Sequence, residues 1–536
     1  MNKKRFAFLM LIGAFVMLVS CNTSKVTENN SPYYPFYDPS VAPAPKDVAG
    51  YTEKMGIKRI LSEFEYGAET KYNQRDSNSP HYFTPDDNIK ATTDKDDNCN
   101  FWVDTGEEML YILHSPGETN YEDLSLYTQL RVVFRILGKK EKAKLSLRIF
   151  DEGAKAWITL GSVELPANEK HELIFSLGYV SEEMRKAVSK IGISGEKGMT
   201  NEIYYLDVYN PESVKRNVEI KDLTFETEYL GNVISSRLGP YSASGFYDKD
   251  DGKWKLWYGC GIPEAICSDN VYYIETTDPK LGWSKPVRII PEDKSGLLFP
   301  YNEAPGYGGD PSVIKVDGTY YMYFSGIVKG TDGKWPHHND IFVATSKDGI
   351  NFIVHDKPVV PSSGGGSLGY GTGSPSVVYK DGTFYLYYYT QSESPGGFKL
   401  RTSTDGFTYG EDIYCHQQFV GDVKYVDAIN KWVGIYYTET GQEGADTIAG
   451  IRLMYSDDGI HWVRGSSNSQ MPSQDFSAVI NHNPGFIGDS LGHGYTTMFY
   501  TYGNNDLSLN WPDVYHLTLQ YDMRELDWGR LTIINK

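Results

Sequence analysis

From Gly308 the chain alternates apolar and polar positions over two short runs, GGDPSVIKV and TYYMYF, joined by Asp317-Gly318. A period of two predicts strands, and an Asp-Gly pair between them predicts a tight hairpin. The phrase returns as GTGSPSVVYKDGTFYLYYY from Gly371, as GDVKYVDAINKWVGIYYTE from Gly421 and as NHNPGFIGDSLGHGYTTMFYTYG from Asn481, with a looser copy, YSASGFYDKDDGKWKLWYG, from Tyr241. Anchor positions fall near Ser244, Asp310, Ser374, Asp422 and Asn483. A second hairpin follows each first one: VYYIETTDPKLGWSKP, IFVATSKDGINFIVH, KLRTSTDGFTYGE and IRLMYSDDGIHWVRG are each a strand, an Asp-based turn and a strand carrying an aromatic. Two hairpins make a four-stranded blade, and one blade cannot bury both faces alone. Residues 229–536 therefore read as a five-bladed β-propeller. The first strand of every blade runs beside the axis in this architecture, so the anchor positions are the candidates for a shared pocket.

Asp317, Asp348, Asp381, Asp405 and Asp458 read as turn residues, because Asp tolerates the turn and bonds its own backbone. The second turn is similar to the sialidase Asp-box, but Ser456 to Trp462 is one residue shorter than that motif and no function attaches to it. Ahead of the propeller, residues 51–228 hold LRVVFRILG, AKLSLRIFD, AWITLGSVEL, HELIFSLG and VEIKDLTFETE, strand-like stretches bounded by turn residues. VSEEMRKAVSKIGI among them is the helical piece. The predicted class is all-β, a β-sandwich (jelly-roll) followed by the propeller. In order and composition the first unit resembles a galactose-binding-like module, which implies carbohydrate binding, with Trp102, Trp157, Tyr111 and Tyr127 either sugar-stacking platforms or core and surface aromatics.

The first residues are a signal: Lys3, Lys4 and Arg5, then the apolar run Phe6 to Val19, too short for an ordinary membrane span. Leu18-Val19-Ser20-Cys21 resembles a bacterial lipobox, which implies a lipidated Cys21, cleavage before it, and a cell-envelope protein held in the outer membrane by its lipid, facing the periplasm or the outside. Residues 21–50, rich in Asn, Ser, Thr and Pro, read as a flexible tether. Cys260 and Cys267 could pair across a loop, whereas Cys99 and Cys415 read as free buried thiols. The 536 residues, 40% hydrophobic and rich in Tyr and Gly, suffice for more than one core. A net charge of -19 argues against nucleic acid or an anionic membrane surface as partner.

DPSVIKVDGTYYMYF at Asp310 and His482-Asn483-Pro484-Gly485-Phe486 resemble the blade openings of glycoside hydrolase family 43 and its five-bladed relatives, over roughly the last 300 residues. The resemblance implies an inverting hydrolase of poly- or oligosaccharides that needs no cofactor, with His482 on the axis near a bound water or structural calcium. It also implies a base Asp in blade one, an orienting Asp in blade two and an acid Glu in blade three. Only Asp310 matches. Ser242 to Ser244 hold no acid in blade one, and Gly373-Ser374-Pro375 stand where the Glu belongs. Asp422 and Glu303 are then the expected catalytic partners of Asp310, with Glu264, Asp269, Asp340, Glu393 and Glu439 as further acids at strand ends. His482, Asn483, Ser374 and His338 are expected to bind substrate, and His482 a metal; His337 and His338 could also act as acid, base or ligand. Two readings stay open: an exo-acting hydrolase that removes a terminal sugar such as xylose, arabinose or galactose, and a non-catalytic glycan-binding surface lipoprotein. Phosphorolysis or deacetylation on the same fold is a remoter third.

Overall fold

The computed structural model describes residues 25–26, 54–60, 82–84, 91–94, 99–103, 109–112, 123–235, 240–262, 265–279, 282–284, 286–289, 307–327, 338–355, 357–364, 371–391, 396–438, 450–465, 471, 479–506 and 523–534. The signal and nearly all of the tether, Cys21 included, lie outside them. Asp317-Gly318 and Asp381-Gly382 each take positive φ at both positions, the turn whose twist matches that of the flanking strands.

Each hairpin pair builds a blade. Blade one comprises Tyr241–Asp248, Lys253–Ile262, Ala265–Thr276 and Val287–Arg288; blade two comprises Tyr307–Val316, Thr319–Ile327, Asp340–Ser346 and Ile353–Val354. Blade three runs Thr372–Lys380, Thr383–Thr390, Gly397–Ser403 and Ile413–His416, and blade four Asp422–Val426, Lys431–Thr438, Gly450–Ser456 and Trp462–Arg464. Blade five has three strands of its own, Val479–Gly488, Thr497–Asp506 and Met523–Ile533. Its outer strand is Leu223–Ser235, which lies before blade one in the chain and pairs antiparallel with Met523–Ile533. Part of that stretch reads in the sequence as an edge of the first unit; in the structure it ties the start of the ring to its end.

Alternation gives each blade two apolar faces, and neighbouring blades bury them in separate clusters. Phe246, Trp257 and Tyr273 of blade one meet Val313, Met322 and Phe342 of blade two. Ile314, Tyr323 and Val343 of blade two meet Val377, Leu386 and Tyr388 of blade three. Tyr387 and Phe398 of blade three meet Val423, Trp432 and Met454 of blade four, and Trp254 and Leu256 of blade one meet Ile487, Phe499 and Trp528 of blade five.

The second-hairpin Asp turns of blades two, three and four latch each of these to the preceding blade. Trp257 Nε1 donates to the Gly349 carbonyl, Tyr323 Oη to that of Gly406 and Tyr387 Oη to that of Gly459, at 2.8, 2.8 and 3.1 Å. Within the turns, Ser346, Ser403 and Ser456 hydroxyls accept the Gly N–H at 2.9–3.0 Å, and Asp348, Asp405 and Asp458 carboxylates accept two backbone N–H groups each. These aspartates do turn chemistry.

Ahead of the ring, Gln129–Leu137, Lys170–Ser176 and Thr200–Asn210 pair in one sheet and Met109–Ile112, Val188–Ser194, Lys142–Asp151 and Ala156–Pro166 in another. Leu130, Val132, Phe134, Leu145, Leu147, Ile191 and Leu206 from the two sheets share one buried cluster. Among the described residues helix is limited there to Glu182–Arg185, capped by Ser181, because VSKIGIS after it pairs as a strand between Met109–Ile112 and Lys142–Asp151. Tyr127 is fully buried, a core residue rather than a platform. Trp157 is half-buried with the Arg148 guanidinium 4.1 Å above its ring, while the side chains of Trp102 and Tyr111 lie outside the described residues.

Candidate functional site

The inner strands do not start as regular ladders. In four of them the register slips at the opening: between Tyr241 and Ser244, Gly309 and Ser312, Gly373 and Ser376, and His482 and Gly485. At each slip one non-glycine residue takes a left-handed backbone: Ser242 at φ 47°, Asp310 at 49°, Ser374 at 49° and Asn483 at 37°. A bulge of this kind re-aims a side chain, and left-handed non-glycine residues cost about 1–2 kcal/mol each, so they persist where the surroundings hold them. Pro311, Pro375 and Pro484 follow three of them, at unpaired positions where no ladder N–H is needed.

The re-aimed side chains meet. Asn483 Nδ2 donates to Asp310 Oδ1 at 2.7 Å, Ser325 Oγ to Asp310 Oδ2 at 2.8 Å and Ser374 Oγ to the same oxygen at 3.4 Å, and the Ser242 hydroxyl also reaches the carboxylate. Ser325 Oγ in turn accepts the Ser374 N–H at 2.9 Å. Residues of blades one, two, three and five thus converge on one carboxyl that is 5% exposed. Burial pushes Asp310 above the ordinary carboxylate range, against the pull of its four donors. The Asn483 carbonyl oxygen is buried and accepts no hydrogen bond from the described residues.

Two positions beyond each bulge runs a second series. Ser244 Oγ accepts the Val313 N–H at 3.0 Å, Ser312 Oγ the Val377 N–H at 3.0 Å, Ser376 Oγ the Val423 N–H at 2.9 Å and Asp422 Oδ2 the Phe486 N–H at 2.8 Å. Each stitches an inner strand to that of the next blade. Asp422 therefore shares register with Ser312 and Ser376, and the blade-one counterpart of Asp310 is Ser242 rather than Ser244. The alignment by sequence slips here because blade four opens without the bulge, and the two-residue offset it removes leaves no mark in composition. Asp422 is 4% exposed, accepts from Ser376 Oγ at 2.5 Å and pairs with the buried Lys424 ammonium at 2.7 Å, so both oxygens are engaged in the ring and the structure does not bring it to Asp310.

The far ends of the inner strands are capped. Blade five's segment 489–494 crosses the ends of the inner strands: the Ser490 carbonyl accepts the Lys315 N–H at 2.6 Å, the Leu491 carbonyl accepts the Tyr379 N–H at 2.8 Å, and His493-Gly494 pair in parallel with Tyr425-Val426. Lys315 lies five residues along its strand from Asp310, which at ~3.3 Å per residue separates cap and carboxyl by about 16 Å.

Of the remaining expectations, His338 is half-buried on the segment leading into Asp340–Ser346, beside the opening of blade three at Gly371. Asp340 starts that strand, its Oδ1 accepts the Ser362 N–H at 2.6 Å, and burial raises its pKa. Glu303, Glu264, His337, Glu393 and Glu439 lie outside the described residues, as do the side chains of His482, Asp269 and Cys267. Among the described residues no group of three or more His, Cys, Asp or Glu could hold a metal ion. Cys260 is buried, and burial pushes the Cys415 thiol up to about 12.

No protein-family model matches the chain, and a search of curated proteins finds no match. Solved structures do resemble it. The catalytic domain of the Coprinopsis cinerea family 62 α-L-arabinofuranosidase shares 15% identity over 57% of this chain and 95% of that one, with a TM-score of 0.40. A family 117 glycoside hydrolase from the marine bacterium Zobellia galactanivorans shares 14% over 58% and 90%, at 0.37. An N-acetylgalactosamine deacetylase from F. plautii, in complex with blood group B trisaccharide, shares 16% over 60% and 96%, also at 0.37. At such scores the fold stands on the strand registers above, which are those of a five-bladed propeller.

Proposed function

We propose that the protein is a glycoside hydrolase that removes one terminal sugar from a polysaccharide fragment by inversion, with Asp310 in its pocket. The observation that carries this is the convergence of three bulge-anchored residues, Ser242, Ser374 and Asn483, on the buried carboxyl of the fourth, Asp310, a strained and polar arrangement that packing alone does not require. Exo action, the release of one sugar from a chain end, is part of the same proposal. Asn483 and Ser374 are the proposed substrate-orienting groups beside Asp310, and the sequence alone supports His482 as a further substrate-binding residue and Glu303 as a catalytic partner of Asp310. Inversion needs two carboxyls about 6.5–9.5 Å apart with water between them. Proton NMR of the first product tests the proposal: a single released sugar of opposite anomeric configuration is expected, and release of internal fragments would overturn the exo assignment.

The non-catalytic glycan-binding reading has one observation of its own, that Asp310 is the sole carboxyl among the four bulge positions. Binding of polysaccharide without turnover would establish it. The lipobox-like LVSC supports a lipid anchor at Cys21 and placement in the outer membrane; a Cys21→Ala variant released in soluble form tests both.

A further inference from the structure

Resting on the reading that this chain engages a polysaccharide, we propose that Tyr389, Phe419 and Tyr437 form a sugar-stacking site on the face of the ring where the inner strands open, holding the glycan beyond its terminal sugar. The strands place it there. Thr383–Thr390 and Lys431–Thr438 run antiparallel to the inner strands of blades three and four, so Tyr389 and Tyr437, each next to last in its strand, stand at the opening end. Tyr389 pairs with Gly373, the residue before Ser374, at a Cα separation of about 5 Å. Phe419 lies on the segment that leads from Ile413–His416 of blade three into Asp422–Val426 of blade four. Its ring meets those of Tyr389 and Tyr437 edge-to-face, at 5.2 and 5.3 Å between centroids.

Packing does not account for the trio. Val420, 1% exposed, enters the cluster that joins blades three and four, beside Tyr387, Val423 and Trp432, whereas Phe419 next to it takes no part. Tyr389, Phe419 and Tyr437 belong to none of the buried clusters, and all three are half-buried. The segment that carries Phe419 is nevertheless fixed. The Gln418 N–H donates to His416 Nδ1 at 2.9 Å, Gln418 Nε2 donates to the Tyr437 carbonyl at 3.4 Å, Gln418 Oε1 accepts from Arg464 Nη1 at 3.1 Å, and the Gly421 N–H donates to the Ile435 carbonyl at 2.9 Å. A ring held in this way has little freedom left to lose when a ligand lands on it. Tyrosine rings present an apolar body and a polar tip, and a sugar matches them, with an apolar C–H face and a hydroxylated rim.

Affinity electrophoresis in gels cast with arabinoxylan or with arabinogalactan tests this, with the fold of each variant verified by melting. The wild type should be retarded by at least one of the two. Phe419→Leu, which keeps apolar volume but has no ring, should bind about tenfold more weakly, whereas Phe419→Tyr should bind as the wild type does. Tyr414→Ala, which removes a 45% exposed ring from the outer strand of blade three, is the control and should change nothing. Equal retardation of Phe419→Leu and wild type, or equal weakening in the Leu and Tyr variants, would overturn the site. A wild type that neither polysaccharide retards would overturn the site and the glycan reading together. A wild type that is retarded through Phe419 but releases no sugar from any glycoside would overturn the hydrolase alone and leave the site standing.

Discussion

Replacing Ser312 by Ala removes one oxygen from the ring of stitches. Its Oγ accepts the Val377 N–H at 3.0 Å, with Ser312 3% exposed and Val377 wholly buried, so neither water nor another described group replaces it. A buried backbone donor left without an acceptor costs about 1–3 kcal/mol. At about 2.1 cal/mol/K of unfolding entropy per residue, a chain of 536 residues shifts its melting temperature by roughly 1 °C per kcal/mol, so the expected fall is about 1–3 °C. Thermal melts followed by circular dichroism would read it, with exposed Thr404→Ala as control. Ser376→Ala should cost more, since Ser376 accepts the Val423 N–H and also donates to Asp422 in its buried pair with Lys424. A Ser312→Ala melt indistinguishable from the control would refute the idea that these hydroxyls hold neighbouring blades together.

The same geometry predicts how stability responds to pH and to strain. Burial raises Asp310 above its ordinary 3.8, so the folded chain holds a proton that the unfolded chain releases; this stability is present below the ordinary range, falls as pH rises from the unfolded to the folded value and stays low above it. Asp310→Asn cannot ionise, so its melting temperature relative to wild type should rise with pH above about 4, and a difference flat with pH would contradict the buried-carboxyl reading. Asp405 runs the opposite way. The Thr408 and Phe407 N–H groups lower it from 3.8 to about 2, so its contribution is complete above 3.8 and is lost as pH falls toward 2. Asp405→Ala should lower stability at neutral pH by about 0.5–1 kcal/mol after solvent screening and approach wild type once Asp405 is protonated in the folded and the unfolded chain alike, as paired melts would show. Gly492→Ala should destabilise by about 1–2 kcal/mol or more, because φ is 82° there and a Cβ would stand 2.7 Å from the Val377 carbonyl oxygen; an unchanged urea midpoint would show that the cap is not packed against blade three.

How far the chain announces this arrangement differs from one residue to the next. The Asp-Gly hairpins and the period of two place the blades directly, since turn chemistry and alternation are local. Asp310 stands out because Asp-Pro at a strand opening serves no packing need, and Asn483 because it repeats the slot. Asp422 misleads: it looks like a blade opening, yet its register is that of Ser312 and Ser376, and register depends on a bulge that two neighbouring blades decide together. Leu223–Ser235 is likewise unreadable as a blade strand, because its partner is roughly 300 residues later and nothing local marks ring closure.

The decisive measurement is sugar release by the protein from a panel of aryl glycosides and polysaccharide digests, beside its Asp310→Asn variant with the fold of both verified by melting. Release of a single sugar by the wild type and its loss in a variant at least as stable would place the buried carboxyl in a working site. No turnover by either protein, with polysaccharide binding equal in both, would contradict the hydrolase and leave a glycan-binding propeller.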